Sequence, residues 1–220
     1  MTFTEYLATF ITDNKKGKIQ KVLSQRTRHM TIVLEDIFQP HNASAVIRTC
    51  DCFGVQDLHV IENKFKYELN PKVVLGSSKW IDLHQYSNEN KESATVETLQ
   101  KLKKKGYRIV ATTPHTDDID LDDFDVSTPF ALVFGTEQEG ISDEVRTEAD
   151  EFVKIPMYGF TESFNISVSA ALCMQHLSFK MRNEKINFYL SEEERKELTL
   201  KWYKRIVKSA AQLEEQFLEK

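Results

Sequence analysis

Cysteine is scarce in this chain: Cys50, Cys52 and Cys173 are the only three in 220 residues. An odd count with no export signal argues against a disulfide framework, so reduced and mostly packed thiols are expected. Cys50 and Cys52 lie two apart on a predicted helix and point to different faces, and no second Cys or His pair completes a zinc set. No metal is expected. No run of about 18 uninterrupted apolar residues is present, which excludes an ordinary membrane-spanning helix. The start Met1-Thr2-Phe3-Thr4-Glu5 lacks the basic segment of a secretory signal. A cytoplasmic protein with no membrane partner is the expectation. A basic excess is also missing, with 29 Lys and Arg against 34 Asp and Glu and a net charge of −5, whereas nucleic-acid binders usually carry basic patches.

The distribution of charge removes that objection. Residues 1–29 have a balance of +4 and residues 180–208 another +4, while residues 209–220 contribute −2 and the middle of the chain −11. A phosphate backbone responds to clusters within a Debye length of about 8 to 10 Å and not to the total. Both ends of the chain are therefore candidates for contact with RNA. At 220 residues the length suits one main domain with short appended helices, long enough to bury a substantial core. The expected division is a basic helical extension over 1–28, a central domain over 29–183 and a helical extension over 184–220.

Periodicity predicts helices over 3–12 and 14–25, the second combining Lys15, Lys16, Lys18 and Lys21 with Ile19, Val22 and Leu23. A strand over 31–34, a helix over 42–53 and a strand over 58–61 form a βαβ unit. Further elements are a short helix from Val73, a strand over 81–85, a helix over 96–105 and strands over 108–112, 130–134 and 152–155. An irregular loop at 156–164 then leads into a helix over 165–181. A capping box at Ser191-Glu192-Glu193-Glu194 opens one last helix running towards Phe217. Its stripe of Leu198, Trp202, Ile206, Ala210, Leu213 and Phe217 suits intramolecular core or an oligomer contact. This alternation predicts an α/β fold, a mostly parallel sheet with helices on both faces and ligands bound beyond the carboxyl ends of its strands. The aspartate-rich segment 117–125 reads as an acidic surface loop, since it lacks the Gly and terminal Glu of a calcium-binding EF-hand loop.

Three segments carry the chemistry. Pro40-His41-Asn42-Ala43-Ser44-Ala45-Val46-Ile47-Arg48-Thr49-Cys50 is the first. Phe134-Gly135-Thr136-Glu137-Gln138-Glu139-Gly140-Ile141-Ser142 is the second, with the glycine spacing of a P-loop but Ile141-Ser142 where that loop needs Lys-Ser/Thr. No G-x-G-x-x-G follows a strand either, which disfavours a dinucleotide site. The third is Ile155-Pro156-Met157-Tyr158-Gly159 followed by Glu162-Ser163-Phe164-Asn165-Ile166-Ser167-Val168-Ser169. On the residues alone, Asn42 at a helix start is as consistent with an N-cap as with a catalytic role. An isolated Arg on a helix, such as Arg48, is usually a surface ion-pair partner, and Ile155 and Phe164 are as consistent with core packing as with a ligand site.

In order and separation these segments resemble the three signature motifs of the SpoU, or TrmH, family of RNA 2'-O-ribose methyltransferases. The stretch from Arg26 to Glu35, the run Gly76-Ser77-Ser78-Lys79-Trp80 and the charged last helix are similar to the members that methylate a D-loop guanosine of tRNA. The resemblance covers roughly residues 20 to 205. Phe164 stands where the family usually has Leu and Glu162 where Gln is common. The resemblance implies a deep C-terminal trefoil knot, S-adenosylmethionine held in a bent pose by the knot's loops, and an obligate homodimer. It assigns Arg48 to activation of the ribose 2'-hydroxyl, with Asn42, Glu137, Ser163 and Asn165 arranging Arg48, substrate or cofactor. Thr112, Gly135, Ile155, Met157 and Phe164 are the expected cofactor site, and Arg26, Arg28, Lys180 and Arg182 the expected RNA contacts. A free guanidinium has a pKa above about 12. Phosphate binding and stabilisation of developing alkoxide charge are thus the narrower role expected of Arg48. Two alternatives remain, a ribosomal RNA methyltransferase of the same family and a noncatalytic RNA-binding or assembly protein.

Overall fold

The computed structural model describes residues 1–87, 93–114, 118–136 and 138–218. They form two compact units, one made of both chain ends, residues 1–27 and 189–220, the other of residues 28–188. In the first, α1 (Phe3–Ala8) starts at a capping box formed by Thr2 and Glu5, and α2 (Asp13–Leu23) is capped by Thr12. Ile19 and Leu23 are the buried face of α2, while Lys15, Lys18 and Lys21 are exposed.

The larger unit runs β1 (Met30–Glu35), α3 (Pro40–Phe53), β2 (Asp57–Glu62), α4 (Pro71–Val74), a 3-10 turn (Ser77–Lys79), β3 (Asp82–Ser87), α5 (Ala94–Lys104), β4 (Arg108–Thr112), β5 (Ile119–Asp120), β6 (Phe130–Phe134), α6 (Asp143–Glu148), β7 (Glu151–Lys154) and α7 (Ile166–Asn183). The seven strands form one sheet in the order β3-β2-β1-β6-β4-β7-β5, and every neighbouring pair is parallel. β1 and β6 are central and buried along their whole length, as continuous apolar runs in a sheet covered on both faces must be. Ile32 lies opposite Leu58 on one side and Leu132 on the other. Alternate side chains then build two cores. Ile32, Leu34, Val60 and Leu132 meet Val46, Ile47, Met174 and Leu177 of α3 and α7, whereas Val33, Ile61 and Val133 meet Leu99, Leu102 and Val145 of α5 and α6.

The last helix of the first unit is broken. α8 (Glu192–Ile206) carries the expected Ser191–Glu194 capping box but ends where Val207 turns extended, and α9 (Ala210–Leu218) restarts after Ser209 at φ 58. The break folds Phe217 back onto Tyr6 and Phe3, with ring centroids 5.5 and 5.4 Å apart, so the expected stripe serves intramolecular packing. Two other expectations need correction. The acidic segment contains the edge strand β5, and Leu121 and Phe124 within the segment are buried, which anchors it to the core; Asp117 lies outside the described residues. α6 is an unexpected helix, capped by Ser142, whose side chain accepts from the Val145 amide.

Candidate active site

Because all strands are parallel, their carboxyl ends share one edge, and the loops after β4, β6 and β7 enclose a cavity of about 560 Å³ there. All five expected cofactor residues, Thr112, Gly135, Ile155, Met157 and Phe164, line it, together with Ser163 and Asn165. Thr112 Oγ1 donates to the Val133 carbonyl at 3.0 Å, which fixes the end of β4 against β6. The loop after β6 closes through paired backbone bonds between Thr136 and Gly140, 2.8 and 3.1 Å long. A side chain at position 135 would overlap the Gly140 carbonyl, so only glycine lets the two backbone segments pass this closely. The far end of the loop is tied to β1. Buried Glu35 accepts from the Ser142 hydroxyl (2.7 Å) and amide (3.1 Å) and from the Thr95 hydroxyl (2.6 Å). Glu137 lies outside the described residues.

Asn165 serves two elements. Its Oδ1 accepts from the Ser167 amide at 2.9 Å and the Ser167 hydroxyl at 2.6 Å, capping α7. Its Nδ2 donates to Asn42 Oδ1 at 3.2 Å, tying the first motif to the third across 123 residues of chain. Asn42 is not the N-cap of its helix. α3 begins two residues earlier with Pro40, which suits the first helical position because it lacks an N–H, and Gln39 is the cap. Asn42 is thus free to turn its amide inward, where it is 4% exposed and donates weakly to Gln39 Oε1 at 3.4 Å. Arg48 is different. Six residues on from Asn42 it projects about 120° away around the helix, is exposed, and is not among the residues that line the cavity.

Cys173 also lines the cavity, but burial pushes its thiol up to about 12, which removes it as a nucleophile at neutral pH. On the rim, a hydrogen bond and ion pair from Lys64 Nζ at 2.8 Å hold the Glu139 carboxyl below the usual carboxylate range. Thr113, Ile166, Ser169 and Cys173 also line the cavity and were assigned no role from the sequence, although Ile166 and Ser169 belong to the third segment. The last three were recoverable from helical spacing, since positions 166, 169 and 173 share one face of α7.

The expected RNA contacts occupy other environments. Arg26 needs correction: it is 1% exposed, with its guanidinium over the Trp202 ring at 5.4 Å, so it packs the interior of its unit. Arg28 bridges Asp57 (2.8 Å) and Asp82 (2.9 Å). Lys180 Nζ donates to the Asp122 carbonyl at 2.5 Å, and exposed Arg182 lies over the Phe188 ring at 5.3 Å.

The sequence pattern of the SpoU rRNA methylase family matches residues 29–175, a span containing the whole cavity. The chain belongs to this family. Among its SpoU relatives, a protein of Borreliella burgdorferi named tRNA (guanosine(18)-2'-O)-methyltransferase is 48% identical over 203 residues, 92% of this chain and 90% of the relative. A protein of the same name from Aquifex aeolicus is 31% identical over 210 residues, 93% and 94% of the two chains. The crystal structure described as the A. aeolicus TrmH/SpoU tRNA modifying enzyme superposes with a TM-score of 0.78 at 29% identity, covering 89% of this chain and 98% of that one. The fold extends to the SpoU methyltransferase AviRb of Streptomyces viridochromogenes, solved in complex with the cofactor AdoMet, at a TM-score of 0.60 and 24% identity, covering 74% and 61%. Among the described residues of this SpoU chain, no helix is long and apolar enough to cross a membrane and no cluster of metal-binding side chains occurs.

Proposed function

We propose that this SpoU-family chain transfers a methyl group from S-adenosylmethionine to the 2'-hydroxyl of a D-loop guanosine in tRNA. The observation that carries the reading is the bond between Asn165 and Asn42, which joins the cavity of the second and third motifs to the helix that bears Arg48. The cavity suits the cofactor. Its size is ordinary for a small-molecule site, Ile155, Met157 and Phe164 offer apolar surface for an adenine ring, and the strand-end backbone at Thr112 and Gly135 offers polar groups for its edge. The cofactor supplies an electrophilic methyl group on a positively charged sulfur. Transfer would require the ribose oxygen to be held about 3 to 3.5 Å from that methyl, the S–CH3 bond breaking as the O–CH3 bond forms and the hydroxyl proton passing to solvent. Arg48 binds the adjacent phosphate with its planar guanidinium and stabilises the developing alkoxide. Asn42 and Asn165 hold motif and cavity in register, Ser163 adds a hydroxyl to the cavity lining, and Glu137 takes the arranging role that the family resemblance assigns it.

The chain acts as a homodimer with a knotted carboxyl-terminal segment. Supporting the dimer, Val168, Leu172 and Phe179 form one exposed apolar stripe on α7, at 44%, 39% and 60% exposure, a face of the kind that marks an interface. Exposed Arg48 then works in a site completed on assembly. The tRNA backbone is held by exposed cations, Lys15, Lys18 and Lys21 on α2 and Arg182 on α7, and the reaction takes place in the cytoplasm. The test is methyl mapping of total RNA incubated with the wild-type chain and with Arg48→Ala. Methylation of a D-loop guanosine by the wild type, with methyl transfer lost but S-adenosylmethionine binding kept in the variant, is the expected result. Mapping to ribosomal RNA would transfer the reading to that substrate, and absence of both cofactor binding and methylation would reduce the protein to an RNA-binding one.

A further inference from the structure

Phe38 and Phe65 belong to none of the three motifs, yet their rings meet edge to face with centroids 5.0 Å apart and remain 60% and 38% exposed. They sit on different connections, after β1 and after β2, and the fold locks those connections together. Asp36, in the left-handed region at φ 50, accepts with Oδ1 from the amides of Asn63 and Lys64, both at 2.7 Å, and reaches that of Phe65 at 3.5 Å. Asn63 is held in turn by the Thr95 hydroxyl (2.9 Å) and the Ala94 amide (3.1 Å), and Thr95 by Glu35. A buried carboxylate and a strained residue thus hold two phenyl rings in water, where burial would otherwise have stabilised them.

Their position connects them to the site. Phe38 stands two residues before Pro40, the first residue of α3, and Asn42 follows within a turn. Lys64, next to Phe65, is ion-paired with Glu139 on the cavity wall. Exposed Lys66 directly follows Phe65 in the chain, and exposed His41 shares a helical face with Arg48, seven residues on. Aromatic faces flanked by cations match an unstacked base and its phosphates, because every base has a π-face and every nucleotide a negative charge. We propose that Phe38 and Phe65 form a stacking platform for one unstacked nucleobase of the RNA substrate at the mouth of the methyl-transfer site. The proposal rests on the RNA methyltransferase reading.

The test compares Phe38→Leu, Phe65→Leu, the double variant and Phe38→Trp in steady-state methyl transfer to tRNA. Parallel assays use tRNAs made abasic at the methylated nucleotide or at either neighbour. The expected result is a KM for tRNA raised about 5- to 100-fold in the double variant, the range that loss of one base–aromatic stack implies. The kcat stays within about twofold and Phe38→Trp recovers the wild-type KM. The abasic position that abolishes the difference between wild type and Phe38→Leu identifies which base stacks, the target's own or a neighbour's. Unchanged KM in the double variant, equal losses in Phe38→Leu and Phe38→Trp, or a Phe38→Leu effect that persists at every abasic position would each overturn the platform. Failure of the wild type to methylate any RNA would remove the underlying reading instead, so the two failures are distinguishable.

Discussion

Replacing Asn165 by Asp or by Ala separates its two duties. Asp retains the acceptor that caps α7 through the Ser167 amide and hydroxyl, and a carboxylate at a helix amino terminus gains about 0.3 to 1 kcal/mol from the helix dipole. It loses the donor to Asn42 Oδ1, a hydrogen bond worth about 0.5 to 1.5 kcal/mol. Rotation of the Asn42 amide would restore that contact only by giving up its bond to Gln39 Oε1. The stability of Asn165→Asp therefore stays within about 1 kcal/mol of wild type. Ala loses the cap as well, about 0.5 to 2 kcal/mol, so Asn165→Ala is destabilised by about 1 to 3.5 kcal/mol in all. Activity follows a different order. Both variants release the first motif from the cavity, and a displacement of about 1 Å between reacting groups can lower the rate on the order of 100-fold. Urea unfolding and initial rates of methyl transfer to tRNA check the two quantities. Equal destabilisation by Asp and Ala would refute the capping argument, and full kcat in Asn165→Asp would refute the role of the Asn42 tie.

Gly135→Ala should lower S-adenosylmethionine affinity at least about tenfold by titration calorimetry, because the added methyl collides with the Gly140 backbone and displaces a loop that must fit within about 0.5 Å; unchanged affinity would refute this. Burial pushes His59 down to about 3, so it stays neutral while stacked on His84 and bonded to the Tyr86 hydroxyl. The unfolded imidazole takes its proton near 6.5, so this contribution to stability is complete above that pH. It falls by about 1.4 kcal/mol per unit as pH drops from 6.5 towards 3. Urea midpoints at pH 7, 6 and 5 should show that slope, and His59→Gln should flatten it. Arg28→Ala should destabilise the larger unit by about 1 to 3 kcal/mol, since it removes the guanidinium that bridges Asp57 and Asp82, although Asp57 keeps its bond to His84. Replacing Lys15, Lys18 and Lys21 by Ala should instead leave urea midpoints unchanged and make the salt dependence of tRNA binding shallower; an unaltered slope would exclude α2 as a phosphate contact.

Two kinds of information separate along this chain. Strands such as Phe130–Phe134, continuously apolar because both faces are covered, and helices such as Ala94–Lys104, apolar on one face, announce themselves locally, since burial of a strand or a stripe depends on period alone. Motif spacing likewise marked the cavity, as Thr112, Gly135, Ile155, Met157 and Phe164 follow strands whose carboxyl ends a parallel sheet gathers on one edge. Contacts between residues far apart in sequence left no such trace. Asn42 was as consistent with a cap as with a site residue until Pro40 began the helix and Asn165 donated to its amide oxygen. Arg26 looked like an RNA contact, but its guanidinium lies over a Trp 176 positions away. Arg48 shares α3 with Asn42, yet whether it faces the cavity depends on helical phase and on how α3 packs against α7. Period and turn chemistry are properties of neighbouring residues and are written in the order of the chain. The direction a polar side chain takes is decided by whichever distant group satisfies it when water leaves, and only the tertiary structure supplies that group.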